Sequence, residues 1–194
     1  MLEENKKYWI GVFVGLQILV IIRNVLVSDY VSFVWFCDFA PMLLVLAIMF
    51  DSMAFMKAVI NLGLISQIIF LFNFFGELFF GFNYWGFSGI FSYGIFYAVV
   101  SFVLHLLLTC VFYLTYCYEA DGNTIAYSSA ILLVMFIASL ILTPANRNVN
   151  YVYNSNFLGY TPPLYSFIWL PLSFFLLVIP TNLLQKAVLR ATQK

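Results

Sequence analysis

Residues 124–143 read TIAYSSAILLVMFIASLILT, twenty positions without a charged side chain. At ~1.5 Å per residue, a helix of about 20 apolar residues crosses the ~30 Å hydrocarbon core of a bilayer. In lipid every backbone N–H and C=O must find its partner within the segment, so such a run has to be helical. It does not alternate apolar with polar positions, which excludes a membrane β-strand. The same signature recurs on both sides of it, over residues 8–27, 30–50, 53–75, 92–118 and 164–184. The expected fold class is therefore all-α integral membrane: a bundle of six transmembrane helices forming a single transmembrane domain over residues 1–194.

Composition agrees with that reading. Of the 194 residues 64% are hydrophobic and only 8% charged, too few charges to cover a soluble domain of this size. The formal net charge is zero, which gives no electrostatic footprint for nucleic acid. The 23 Phe suit contact with lipid, and the 13 Tyr and 4 Trp suit the interfacial belts. Membrane lipids are the expected partners.

The basic residues set an expected orientation. With six crossings, Lys6, Lys7, Lys57, Lys186, Arg190 and Lys194 share one side, while Arg23 and Arg147 lie on the other. The positive-inside rule then puts both termini in the cytoplasm. Residues 1–7 resemble the basic start of a signal peptide, but no small-x-small cleavage site follows. Arg23-Asn24 ends the apolar stretch, the start of the chain reads as a retained first helix, and residues 185–194 read as a short basic helical end. Two longer loops remain. Residues 76–91 (GELFFGFNYWGFSGIF) are rich in glycine and aromatics, as expected of an aromatic belt or a re-entrant loop. Residues 144–163 (PANRNVNYVYNSNFLGYTPP) hold five asparagines and no acid. That donor-rich stretch is expected to turn back over the bundle.

Polar groups at membrane depth are costly, so each needs a reason. His105, the single histidine, lies midway along the fourth segment. Its structural reading is a neutral imidazole bonded across the bundle; its functional reading is a base. Cys37 and Asp38 lie in the first half of the second segment. Asp38 reads as a bundle-holding acid, a proton site or an orienter of His105. Cys110 and Cys117 read as small apolar fillers. Three cysteines without a loop pair give no disulfide framework, and one histidine gives no zinc cluster. No metal or organic cofactor is implied.

Cys37 and His105 can meet if their spans run in the same direction. An imidazole can take the proton of a thiol, which then forms a thioester with an acyl group. Amide donors from Asn148 or Asn150 can face the oxyanion. Two other readings stay open: a small proton-coupled transporter or channel component using Asp38 and His105, and a non-catalytic membrane scaffold.

Cys37 in the second span, His105 in the fourth and the stretch Asn148-Val149-Asn150-Tyr151-Val152-Tyr153 after the fifth resemble the YwaF family of bacterial six-helix membrane proteins. That family has a eukaryotic relative, a transmembrane Cys–His acyltransferase acting on ether phospholipids. It is more distantly similar to the androgen-induced membrane hydrolases, which use Thr and His on lipid esters. The resemblance implies a bacterial plasma-membrane protein in which Cys37 is the nucleophile and His105 the base, with Asn150 and Tyr151 lining the site. The implied activity is lipid acyl transfer or lipid-ester hydrolysis. The apolar Val34-Trp35-Phe36 lead-in and Asp38 depart from the family pattern.

Overall fold

The computed structural model describes residues 5–81, 90–153 and 164–193. The part of the 76–91 loop from 82 to 89, and the part of the asparagine-rich loop from 154 to 163, lie outside the described residues.

The described elements are all helical. They comprise α1 (Lys6–Leu26), α2 (Phe36–Met49), α3 (Met53–Phe80), α4 (Ile95–Thr115), α5 (Thr124–Leu142) and α6 (Tyr165–Thr192). Five of them are long and apolar enough to cross a bilayer; α2, with 14 residues, is shorter. The bundle hides its polar side chains and turns its apolar ones outward. Asn24, Asn61, Asn73 and Ser128 are buried, while Ile18, Ile21 and Ile22 of α1 and Val134, Ile137 and Ile141 of α5 are exposed. That inversion of the soluble pattern suits lipid as the surrounding solvent, and the chain is an integral membrane protein.

α3 is the central helix, with 61% of its most apolar window buried against 22–39% for the other long helices. Its start is fixed by Ser52, whose Oγ accepts from the Phe55 N–H at 3.2 Å. Its end is fixed by Gly81 at φ +68°, a conformation glycine adopts without strain. Polar bonds tie it to its neighbours: Asn61 Nδ2 donates to Ser128 Oγ of α5 (3.0 Å), and Gln185 Nε2 of α6 donates to Asn61 Oδ1 (2.7 Å). Bonds of this kind between membrane helices contribute about 0.6–2 kcal/mol each.

The chain ends and loops gather in two groups. At one end Lys6 pairs with Asp51, Asp121 accepts from the Ala54 N–H, and Gln193 donates to Glu119. At the other end Arg147, after α5, pairs with Asp29, after α1.

The second segment departs from the expected helix over residues 30–50. Tyr30–Val34 forms a single 3₁₀ turn, Trp35 is extended (φ −63°, ψ 136°), and the α-helix begins only at Phe36. The cause lies far away in sequence. Asn150 Oδ1 accepts from the Phe36 N–H at 3.0 Å, and Asn150 Nδ2 donates to the Val34 carbonyl at 2.9 Å. One side-chain amide thus stands in for a peptide group and serves both the first donor of the helix and the carbonyl before it. Cys37 and Asp38 therefore occupy the first turn of α2, not a point ~10 Å down a longer helix.

Replacing Asn150 takes a bond from three partners, two of them buried, since Nδ2 also donates to Ser139 Oγ at 2.9 Å. Asn150→Ala is expected to lower stability by about 2 kcal/mol. It should also speed alkylation of Cys37, both effects being measured in detergent micelles.

Candidate functional site

The first turn of α2 meets the ends of α1 and α4 around a buried ion pair. Arg23 and Asp38 are 3% and 2% exposed, so almost no water reaches either charge. Arg23 donates to Asp38 Oδ2 and to Asn24 Oδ1, and Asn24 Nδ2 donates to the same Asp38 oxygen at 2.8 Å. Arg23 also donates to Ser101 Oγ of α4 at 3.0 Å and lies 4.8 Å from the centre of the Tyr97 ring. The guanidinium fork suits this work, because it offers several donors in one plane. Arg23 was counted among the charges on the side opposite the basic residues; it and Asn24 instead lie inside α1 and are buried, with Asp38 neutralising the arginine there.

With Oδ2 committed, Asp38 Oδ1 is left to accept from the Cys37 thiol at 3.6 Å. Asp38 does not orient His105. The imidazole Nδ1 meets the Ser101 carbonyl at 2.6 Å, and the ring stacks on Phe70 with centroids 3.4 Å apart and planes 12° from parallel. A carbonyl can only accept, so Nδ1 carries a proton, and in the neutral form of the ring the lone pair lies on Nε2. Ser101 therefore serves both networks, its hydroxyl holding Arg23 and its carbonyl holding His105.

Two chambers of about 350 and 340 Å³ adjoin this centre. The larger is mostly apolar, walled by Leu62, Ile69, Leu132, Met135, Leu172 and Leu176. The other is the more polar of the two, with polar and apolar surface in about equal measure, and its walls include Arg23, Asp29, Asp38, Tyr97, Arg147 and Asn148. Trp35, Cys37, Phe70, His105 and Tyr151 line both. The apolar wall includes Leu172, Ser173, Leu176 and Leu177, where α6 widens into a π-turn over Phe174–Val178. Pro171 and Pro180 flank that turn and have no N–H to give to the helical ladder, which loosens the winding locally.

The loop residues divide in role. Asn150 is committed to Val34, Phe36 and Ser139, and its carbonyl accepts from Trp169 Nε1 at 2.7 Å. The expectation that Asn150 offers an oxyanion donor is thereby corrected: its amide protons are spent on positioning α2. Asn148 lines the polar chamber and accepts from the Tyr153 N–H at 2.9 Å. Tyr151 packs edge-on against Trp35, with ring centroids 5.5 Å apart. Asn148, Asn150 and Tyr151 all have positive φ (44°, 52° and 57°). Asparagine tolerates that region, whereas for tyrosine it costs of order 1–3 kcal/mol, which the surrounding bonds must offset. Burial pushes the Tyr151 phenol above its ordinary pKa, so it stays protonated.

All six residues singled out in the sequence thus lie around the two chambers. Among the described residues no hydrogen bond joins Cys37 to His105. Sequence reasoning missed Arg23, Ser101, Trp35, Phe70, Trp169 and Gln67. For Arg23 and Gln67 the usable signal was the one applied to His105, a polar residue within an apolar run.

No family model, curated protein or solved structure matches this chain.

Removing one partner of the buried pair leaves the other charge stranded. Arg23→Met is expected to cost about 3–5 kcal/mol, and adding Asp38→Leu should recover most of that loss. Thermal unfolding of the two single variants and the double variant checks this. Simple additivity of the losses would show that the pair is not coupled.

Proposed function

We propose that the protein is a lipid acyltransferase or lipid-ester hydrolase with an intramembrane Cys–His site. The observation that carries this reading is that Cys37 and His105 both line the junction of an apolar chamber and a polar one. A lipid ester is apolar on one side of its carbonyl and polar on the other, so its reacting bond belongs at such a junction. The resemblance to the YwaF family assigns the same two residues.

The chemistry follows from the tautomer. Rotation about Cβ–Sγ turns the thiol proton from Asp38 toward His105 Nε2 as substrate enters. Sulfur attacks the ester carbonyl while Nε2 takes its proton; the lipid alcohol then leaves with that proton, and an acyl thioester remains on Cys37. A second alcohol or water, deprotonated by the same imidazole, takes the acyl group and returns the thiol. Resting catalytic hydrogen bonds often close only with substrate bound. The protonated Tyr151 phenol is a donor at the rim of both chambers. The proton-relay alternative is weaker, because Asp38 is held by Arg23 and Asn24 and makes no bond to His105.

The same proposal includes six crossings with both termini in the cytoplasm of a bacterial plasma membrane. Support comes from the two groups of ends and loops: Lys6, Asp51, Asp121 and Gln193 at one end, Asp29 and Arg147 at the other. Arg23 and Lys57 are both buried within helices, which leaves Arg147 alone against Lys6, Lys7, Lys186 and Arg190 on the opposite side. The 3₁₀ turn Tyr30–Val34 lengthens the path of α2, which is itself only ~21 Å long.

Incubation of the purified protein with phospholipid vesicles should yield a hydroxylamine-sensitive acyl adduct on Cys37, seen by mass spectrometry. Cys37→Ser should abolish the adduct and His105→Gln should slow it by about 10²–10⁴-fold. Cys110→Ser and Cys117→Ser should leave it unchanged. Full lipid turnover by Cys37→Ser would reject the enzyme reading.

Single cysteines introduced as Gly122→Cys and Asn146→Cys should label from opposite faces with a membrane-impermeant thiol reagent. Labelling of both from one face would reject the six-crossing arrangement.

A further inference from the structure

α3 is covered along its first half and bare along one stripe of its second. Met56 through Leu64 is buried on every side. Ile68, Phe72 and Phe75, spaced i, i+4 and i+7 on one face, are 50%, 61% and 41% exposed. A central helix that loses its cover halfway along marks a gap in the bundle.

The course of α6 explains the gap. α3 packs against α6 from the π-turn Phe174–Val178 onward, whereas Tyr165–Ser173 leans on α5. The two helices therefore meet in the half that ends at Thr192 and part in the half that begins at Tyr165. The apolar chamber fills the space between them. It is lined by Leu62, Ser66 and Ile69 of α3 and by Tyr165, Trp169 and Leu172 of α6. Each set follows helical spacing, so each is one continuous face. Leu176 continues the α6 face and lines the chamber, yet it is 58% exposed. The chamber thus opens sideways, onto the surface that faces lipid.

Its size and lining say what can occupy it. A mostly apolar wall leaves a polar occupant without bonds along most of its length, which is costly. The lining runs along α6 from Tyr165 to Leu177, a rise of ~18 Å. One leaflet supplies ~15 Å of the ~30 Å hydrocarbon core, so the chamber matches the depth of one leaflet. Its volume of about 350 Å³ lies at the lower end of ligand-sized cavities and suits one chain, not a whole two-chain lipid.

We infer that the cleft between α3 and residues 165–173 of α6 is a lateral portal, through which one acyl chain of a membrane lipid enters the apolar chamber. This builds on the acyl-transfer reading above, in which the chain carries its ester carbonyl to Cys37 and His105. Binding of the chain itself requires no reaction.

The probe is a phosphatidylglycerol with a diazirine midway along one acyl chain, in vesicles of phosphatidylglycerol and phosphatidylethanolamine that hold the full-length protein. After photolysis, mass spectrometry should find adducts on Leu132, Met135 and Trp169, beside those on the lipid-facing Val134. The first three line the chamber and are only 3%, 7% and 5% exposed. Ser66→Trp places an indole in the mouth from α3. It should cut the three buried adducts by about tenfold or more, because overpacking a fitted wall shifts an equilibrium by such a factor. Labelling of Val134 should stay at the wild-type level. The acyl adduct on Cys37 should fall with the buried labels. Methyl methanethiosulfonate is small and water-soluble and can reach Cys37 through the polar chamber, so its rate of reaction should not change. Leu172→Trp narrows the same mouth from α6 and should give the same result, which covers the case in which Ser66→Trp does not fold.

Labelling of Val134 with none on the three buried residues overturns the portal, since the chamber then holds no chain. Undiminished buried labels in the folded tryptophan variants overturn it too, because the chain then enters elsewhere. Buried labels that fall in the variants, with no Cys37 adduct even in wild type, leave the portal standing and remove the acyl-transfer reading.

Discussion

The ion pair between Arg23 and Asp38 is the constraint on which the site depends. Taking two charges out of water costs several kcal/mol per ion, and their attraction offsets this only when further hydrogen bonds complete both shells. Asn24, Ser101 and the Tyr97 ring supply that completion. The price of this arrangement is register: α1, α2 and α4 cannot slide without breaking a buried bond. Because Asp38 Oδ2 is saturated, Oδ1 faces the Cys37 thiol. Ser101 holds Arg23 through its hydroxyl, and its carbonyl holds the His105 ring one turn further along α4. Cys37 and His105 are thus set by opposite sides of one salt bridge, although no bond joins them directly.

Asn150 imposes a second, independent order. By bonding Val34 and Phe36 on either side of the extended Trp35, it ends a 3₁₀ turn and starts a helix. Trp169 and Ser139 hold Asn150 in turn, so α5 and α6 decide where α2 begins. The cavity wall follows from this. Trp35 comes to the boundary of the two chambers against Tyr151, and the widened turn of α6 opens the apolar side. Strain at Tyr151 is stored in a loop that is over-determined by its neighbours, as at many ligand-facing turns.

Five of the six long apolar runs were read correctly as helices long enough to cross a bilayer, because hydrocarbon admits so few backbone solutions. α3 and α5 begin at Met53 and Thr124, the residues where their runs begin, and each has a local cap in Ser52 or Asn123. Polar residues within those runs were legible as costly, and that is why His105 and Cys37 stood out beside Asp38. The same rule applied evenly would have marked Gln67 and Arg23, whose neighbours in sequence are just as apolar.

By itself the sequence determined that the chain is helical, that it resides in lipid and that a few polar side chains must find partners inside it. Those conclusions rest on composition and segment length, which act locally along the chain. Tertiary structure alone decided which partners they find: Asp38 for Arg23, the Ser101 carbonyl for His105, and Val34 and Phe36 for Asn150. The shortened α2 belongs to the same category, since Pro41 disfavours a helix interior but does not place the break before Phe36. A buried polar group is satisfied by whatever donor or acceptor the packing brings within 3 Å. Sequence separations such as the 114 residues from Phe36 to Asn150 leave no local trace of that meeting.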